Sequence, residues 1–468
     1  MNRNACDAFV LFGATGDLAH KKIFPSLYAM ESRGNLKVPV IGIAFNDVTV
    51  DELIDRARDG IEKYGEGNVD EAVFKRLADR LSYVSGDYGK AETFEKLRAA
   101  LGEAKRPLHY LAIPPAVFGM VCEALKKSGC ADNASVVVEK PFGRNLETAQ
   151  GLNEIVHAVF PEENIYRIDH FLGKEPVLNL NYFRFGNVFM EPIWNRNTVK
   201  SIQITMAEDF GIQGRGAFYD SAGTIRDVVQ NHLMQVLAIL LMDPPASHTD
   251  ETLRDAKVRL FKSIKPLTKK DIVRGQFEGY LDEPGVKEGS STETYVALRL
   301  KIDSWRWADV PVYIRAGKSL PVTATEVIVE LKQPPQQLFE DCHRNERNYF
   351  RFQFNPNTVI AIGARAKKLG EEMVGQQIEM VAQHEAPDEM TAYERLIGDA
   401  MAGESGLFAR VDEVESAWKI VDPVLDLTDT PHAYKPDTWG PAEADELLHR
   451  GAFWHDPVMT DVESLVNT

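Results

Sequence analysis

The chain has 468 residues, 44% of them hydrophobic, and carries a formal net charge of -17 at neutral pH. At roughly 100 to 200 residues per domain, that length predicts two units rather than one core. The acidic balance argues against a nucleic-acid partner, so an anionic ligand would need a local nest of cations.

No stretch approaches the ~20 apolar residues that cross a bilayer, and the longest apolar run, VLAILLM at 236–242, reads as a buried helix. The amino-terminal segment lacks a long apolar region and cleavage site, from which we expect a cytoplasmic protein without membrane association. The four cysteines, Cys6, Cys122, Cys130 and Cys342, form no CxxC pair and read as reduced bystanders. Neither HxxxH nor Cys/His ligand spacing occurs, so no metal site is expected.

In chain order, DAFVLFGATGDLAHKKIFPSLY predicts a strand over 7–12, a glycine turn and a helix starting near Asp17. Gly13 and Gly16 let the backbone approach a pyrophosphate, a helix N-terminus presents N–H groups to it, and Ala19 permits close packing. The pattern is GxxGxxA rather than GxGxxG, and glycine turns also serve merely as connections. Further strands are expected at 38–45, 81–88, 107–115 and 135–142, alternating with helical stretches, which implies a parallel sheet. Ligands of such sheets lie at the carboxyl ends of strands, where Asn46, Asp47, Asp87, Tyr88, Pro114, Pro115 and the run Glu139-Lys140-Pro141 stand. In the second half, 292–302, 324–333, 348–354, 358–364 and 376–383 alternate like half-buried antiparallel strands, whereas 224–242 and 411–425 have helical spacing.

FGATGDLA with KKIFPSLY, YLAIPP, VVVEKPFGRNL, RIDHFLGKE (167–175), IWNR (193–196), GRGAFYD (214–220), RDVVQNHLMQ (226–235) and YIRAGKSLP (313–321) recur in this order. Together they resemble the glucose-6-phosphate 1-dehydrogenase family, from about residue 8 to EADEL near residue 447. The resemblance implies an α/β plus α+β architecture. A Rossmann-type nucleotide-binding domain over 1–178 would precede a larger α+β domain over 179–468 for substrate binding and dimerisation. It further implies a hexose phosphate substrate, NADP or NAD as coenzyme, and a homodimer or homotetramer.

Oxidising a hemiacetal hydroxyl requires a base, a hydride acceptor and rigid positioning. The resemblance assigns the base to His232, which its apolar neighbours alone would make a core histidine. It assigns the carboxylate partner to Asp169, from a distant part of the chain. His170 and Lys174 would meet the substrate phosphate, and Lys140, Glu208, Asp227 and Lys318 the sugar. The implied nucleotide site comprises Gly13, Thr15, Gly16, Asp17, Leu18, Phe45, Asp87, Tyr88, Pro114 and Lys140.

Three positions depart from the family pattern. Phe45 stands where relatives carry an arginine for the 2′-phosphate of NADP, so dual or NAD-leaning use is expected, with Lys21 and Lys22 near the turn as partial replacements. Phe171 replaces a common tyrosine and Thr323 a cation, which thins the basic nest and predicts weaker substrate binding or tolerance of another hexose phosphate. Two other readings stay open: a Gfo/Idh/MocA-type sugar oxidoreductase with Lys140 as its catalytic lysine, and a non-catalytic nucleotide or sugar-phosphate sensor.

Overall fold

The computed structural model describes residues 5–65, 67–336, 338–339, 347–370, 372–384 and 389–457. Cys342 lies outside them. Cys6, Cys122 and Cys130 carry free thiols. Among the described residues, no helix is long and apolar enough to cross a membrane.

The chain forms two compact units. The first comprises Met1–Lys174, Pro245–Ala256 and Asp388–Glu415, and the second Glu175–Pro244, Lys257–Pro387 and Ser416–Thr468. Two late segments thus fold with the first unit. There Leu396, Ile397, Met401 and Phe408 share a core with Phe9, Leu11, Ile23, Leu27 and Tyr110. The Asp250 carboxylate also accepts the Ser405 N–H at 2.9 Å, and Arg410 bridges Glu251 and Asp255.

The first unit is built on a six-stranded parallel sheet of β1 (Ala8–Phe12), β2 (Val40–Ala44), β3 (Leu81–Ser85), β4 (Pro107–Leu111), β5 (Ser135–Glu139) and β6 (Ile165–Ile168). The order is β3-β2-β1-β4-β5-β6. AFVLF of β1 is wholly buried, as expected of a central strand covered on both faces. The expected strands appear here with shorter ends. β6 carries no alternation because both its faces are covered, and its four residues are all buried.

The second unit holds a nine-stranded sheet. Its strands are β7 (Val199–Ala207), β8 (Ile272–Phe277), β9 (Tyr295–Leu300), β10 (Val312–Gly317), β11 (Ala324–Leu331), β12 (Tyr349–Asn355), β13 (Thr358–Lys367), β14 (Gly375–His384) and β15 (His432–Tyr434). The order is β14-β13-β12-β11-β7-β10-β9-β8-β15. It is mixed rather than purely antiparallel, because β10 runs parallel to β7 and β15 parallel to β8. All eight residues of the α-helix Met234–Leu241 are buried, as the apolar run there predicted. The preceding segment Ile225–Leu233 is a π-helix, a local widening that hydrophobic spacing does not report.

Candidate active site

In the first unit, β1 ends at Gly13, whose φ of 75° is left-handed and where an added Cβ would lie 2.3 Å from the Ala112 carbonyl oxygen. Only glycine fits this turn, so the backbone passes close to the carboxyl end of β4. The Gly13 N–H donates to Ile43 O at 2.9 Å and to the Tyr88 hydroxyl at 3.0 Å, while that hydroxyl donates to Ile43 O. A helix opens at Asp17 and Leu18, with Ala19 fully buried behind it. A turn that any side chain would fill, followed by a helix N-terminus, fits the pyrophosphate of a dinucleotide.

The strand ends around this turn separate by role. Phe45 is 71% exposed and the adjoining Asn46 and Asp47 are exposed too. The Thr15 hydroxyl donates to Asn46 Oδ1 at 2.8 Å, and Tyr83 donates to Asn46 O at 2.6 Å, which fixes the loop after β2. The Asp87 carboxylate accepts the Gly89 N–H within its own turn, and Pro114 precedes the 3₁₀ turn Pro115–Val117. Lys21 is committed to Asp17 at 3.1 Å, and that bond lowers the Asp17 pKa. The cation beside Gly16 that sequence reading missed is Arg56, which donates to Gly16 O at 3.3 Å and lies 4.0 Å from Asp17. It sits within an ordinary amphipathic helix, Val50–Tyr64, and therefore gives no local signal.

The stretch RIDHFLGKE leaves β6 as a short 3₁₀ turn, His170–Gly173. Asp169 is 3% exposed and accepts the Phe171 N–H at 3.0 Å. Phe171 is buried, and the Lys174 ammonium lies 4.0 Å above its ring centroid. Burial lowers the Lys174 pKa; the Asp169 charge opposes this, and the Lys22 charge adds to the lowering. Lys22 therefore belongs with Lys174 electrostatically, whereas Lys21 belongs with Asp17. Gly173 is required by contact: an added Cβ would lie 2.7 Å from Ala392 O and 2.9 Å from Leu396.

Lys140 follows Glu139 at the end of β5. Burial pushes the Glu139 carboxyl up to about 7, against bonds from Tyr110 and Tyr393 and the charge of Lys140. The Tyr110 hydroxyl donates to Glu139 at 2.5 Å. Tyr393, on the helix Ala392–Ala402, also stacks on His170 with centroids 6.2 Å apart and planes 11° apart. Glu139 was visible as a polar end to an apolar strand; Tyr393 had no signal in the sequence.

In the second unit, Glu208 follows β7 and Lys318 follows β10, and the parallel pairing of those strands sets them side by side. The Lys318 ammonium, only 4% exposed as a residue, lies 2.5 Å from Glu208 and 5.2 Å from the Tyr219 ring centroid. Burial and then the Asp227 charge raise the Tyr219 pKa, so Asp227 faces the same group. Asp227 and the 2%-exposed His232 both ride on the π-helix Ile225–Leu233. Glu293, a residue with no prior assignment, anchors the start of that helix by accepting the Ile225 N–H at 3.1 Å. Thr323 is engaged with Asp209, its hydroxyl 2.5 Å from that carboxylate.

A dinucleotide-type parallel sheet is joined in one chain to a mixed-sheet unit with a buried histidine and paired carboxylate and ammonium groups, the parts that a nucleotide-dependent oxidoreductase uses. Residues 10–179 match the family description "Glucose-6-phosphate dehydrogenase, NAD binding domain" and residues 181–455 match "Glucose-6-phosphate dehydrogenase, C-terminal domain". The chain belongs to the glucose-6-phosphate dehydrogenase family. It is 43% identical to glucose-6-phosphate 1-dehydrogenase 1 of Mycobacterium tuberculosis over 97% of both chains. It also aligns with the crystal structure of glucose-6-phosphate 1-dehydrogenase from Mycobacterium avium at 43% identity and a TM-score of 0.91, over 98% of this chain and 100% of the other. A glucose-6-phosphate dehydrogenase in complex with glucose 6-phosphate aligns at 33% identity and a TM-score of 0.89, over 97% and 99% of the two chains.

Proposed function

We propose that this protein oxidises glucose 6-phosphate at C1 to 6-phosphogluconolactone, the first step of the pentose phosphate pathway. The observation that carries this reading is the match of both family domains along the chain, with the motif residues of each present. The nucleotide would be held by the turn from Gly13 to Leu18, with Thr15, Gly16 and Asp17 inside it. Phe45, Asp87, Tyr88, Pro114 and Lys140 complete the assignment. A bound nicotinamide ring supplies the hydride acceptor.

His232 takes the proton of the C1 hydroxyl, and Asp169 is its assigned carboxylate, fixing the tautomer and stabilising the imidazolium. His170 and Lys174 bind the phosphate through charge-assisted bonds, while Lys140, Glu208, Asp227 and Lys318 orient the sugar. The site residues fold in two parts, Lys140, Asp169, His170 and Lys174 with the first unit and Glu208, Asp227, His232 and Lys318 with the second.

Coenzyme use is dual or NAD-leaning. Phe45 offers no charge to a 2′-phosphate, and the exposed Asn46 and Asp47 suit a free ribose hydroxyl. The same family reading makes the protein a cytoplasmic homodimer or homotetramer. A kinetic comparison of glucose 6-phosphate with other hexose phosphates, using NAD and NADP in turn, tests the function. Coenzyme reduction with glucose 6-phosphate supports it, and no reduction with either coenzyme overturns it.

A further inference from the structure

Glu139 occupies an unusual place for an acid. It ends β5 at 8% exposure, in register with Ile168, the residue before Asp169. Burying a carboxyl is costly unless its oxygens are bonded, and here phenols from two elements converge on it. Tyr110 donates from β4 at 2.5 Å, and Tyr393 donates from the helix Ala392–Ala402.

The second phenol is shared. The Tyr393 ring whose hydroxyl bonds Glu139 also lies nearly parallel to His170 and offset from it, with centroids 6.2 Å and planes 11° apart, while Phe171 meets the same imidazole edge-on at 5.2 Å. The same helix holds the far end of the turn, where Arg395 donates to Gly173 O at 2.8 Å and Leu396 lies against Gly173. His170 therefore sits in a turn clamped at both ends by one helix, and the clamp at its own end is oriented by a buried acid. A ring bonded through its hydroxyl cannot swing away without leaving Glu139 with one donor fewer.

We propose that Glu139 and Tyr393 form a positioning pair that fixes the ring plane of His170 and so sets affinity for the phosphate end of the substrate, without entering the chemistry. The inference rests on the assignment of His170 to the phosphate.

The test uses the full-length enzyme and four variants, Tyr393→Leu, Tyr393→Phe, Glu139→Val and Glu139→Gln. KM for glucose 6-phosphate, kcat, and the inhibition constant of inorganic phosphate are measured, with thermal melting as a check on folding. Loss of the stacked ring or of the acceptor is expected to raise KM and the phosphate inhibition constant together by about three- to tenfold. Glu139→Gln, which keeps an acceptor oxygen, should stay close to wild type. Tyr393→Phe, which keeps the ring and loses the bond, should fall between. If Tyr393→Leu or Glu139→Val does not fold, the contrast between Tyr393→Phe and Glu139→Gln carries the test.

Unchanged phosphate inhibition in folded variants overturns the proposal, as does a fall in kcat at constant KM. His170→Ala separates the two levels of inference. If it weakens phosphate inhibition while the Tyr393 variants do not, the positioning role alone is wrong. If it leaves phosphate inhibition unchanged, the assignment of His170 fails and the proposal with it.

Discussion

Lys318 and Glu208 form a close ion pair, 2.5 Å from nitrogen to oxygen, with the lysine side chain 5% exposed and the carboxylate side chain 28% exposed. Parallel pairing of β7 and β10 creates it, since each residue is the next after its strand. Removing one partner strands the other charge, whereas removing both does not. Glu208→Gln is therefore expected to destabilise the fold by about 1 to 3 kcal/mol, discounted because the carboxylate is partly open to solvent. The double variant Glu208→Gln with Lys318→Met should recover part of that loss while remaining defective in sugar binding. Denaturant titration and KM measured on the same samples check both statements.

His232 is buried on a π-helical segment, and its proposed role is that of the base. His232→Asn is expected to lower kcat by roughly 10²- to 10⁴-fold with little change in substrate affinity. Turnover close to wild type would return the residue to the apolar core that its neighbours suggested.

The proposed phosphate contact of Lys174 predicts a pH dependence of definite sign. Burial and the charge of Lys22 hold the Lys174 pKa below the ordinary lysine value, against the opposing pull of Asp169. In the proposed role of Lys174 it is the ammonium form that binds phosphate, so affinity should be complete below that lowered pKa and lost as pH rises through it. KM for glucose 6-phosphate should accordingly climb at a lower alkaline pH than an ordinary lysine would give. Lys22→Met should move that climb to higher pH, because it removes one contribution to the lowering. A KM that is flat across the alkaline range, or a climb unmoved by the substitution, would contradict this account.

Glu139 gives a second dependence, on stability. Its pKa is raised to about 7 by burial, so the folded state favours the protonated acid more than the unfolded chain does. The contribution is present in full below the ordinary glutamate range and is lost as pH rises through about 7. Glu139→Gln cannot ionise, and its melting temperature should therefore fall less than that of the wild type between about pH 5 and pH 8.

At the coenzyme, Phe45→Arg is expected to raise the ratio of kcat/KM for NADP over NAD by about tenfold or more, as one charge-assisted contact to a phosphate would. Phe45 is exposed, so the substitution removes little packing and folding should be unaffected. An unchanged ratio would mean that the loop after β2 does not meet the ribose.

Much of the architecture was legible because its causes are local. β1, its glycine turn and the helix after it follow from AFVLF, from Gly13 and from an apolar face that begins at Ala19 and continues through Ile23, Leu27 and Met30. Alternation likewise marked β9 and β11 to β14. β7 and β10 were not among the expected strands, although Ser201–Met206 of β7 alternate polar and apolar, and both strands are almost wholly buried inside the sheet. The thinned basic nest also changed meaning. Phe171 is not simply a missing hydroxyl, since its buried ring supports the Lys174 ammonium, and Thr323 is tied to Asp209.

The sequence by itself determined the family and the two kinds of sheet, because these are written in contiguous motifs and short periods. Tertiary structure alone decided what holds the proposed site residues. Arg56 meets the glycine turn, Arg395 reaches Gly173 from 222 residues away, and Tyr393 lies against His170 while bonding Glu139. Each of these supports comes from an ordinary helix whose own pattern records only which face is apolar. What such a face meets depends on the path of the whole chain, and that path is set by burying the core rather than by any signal near the site.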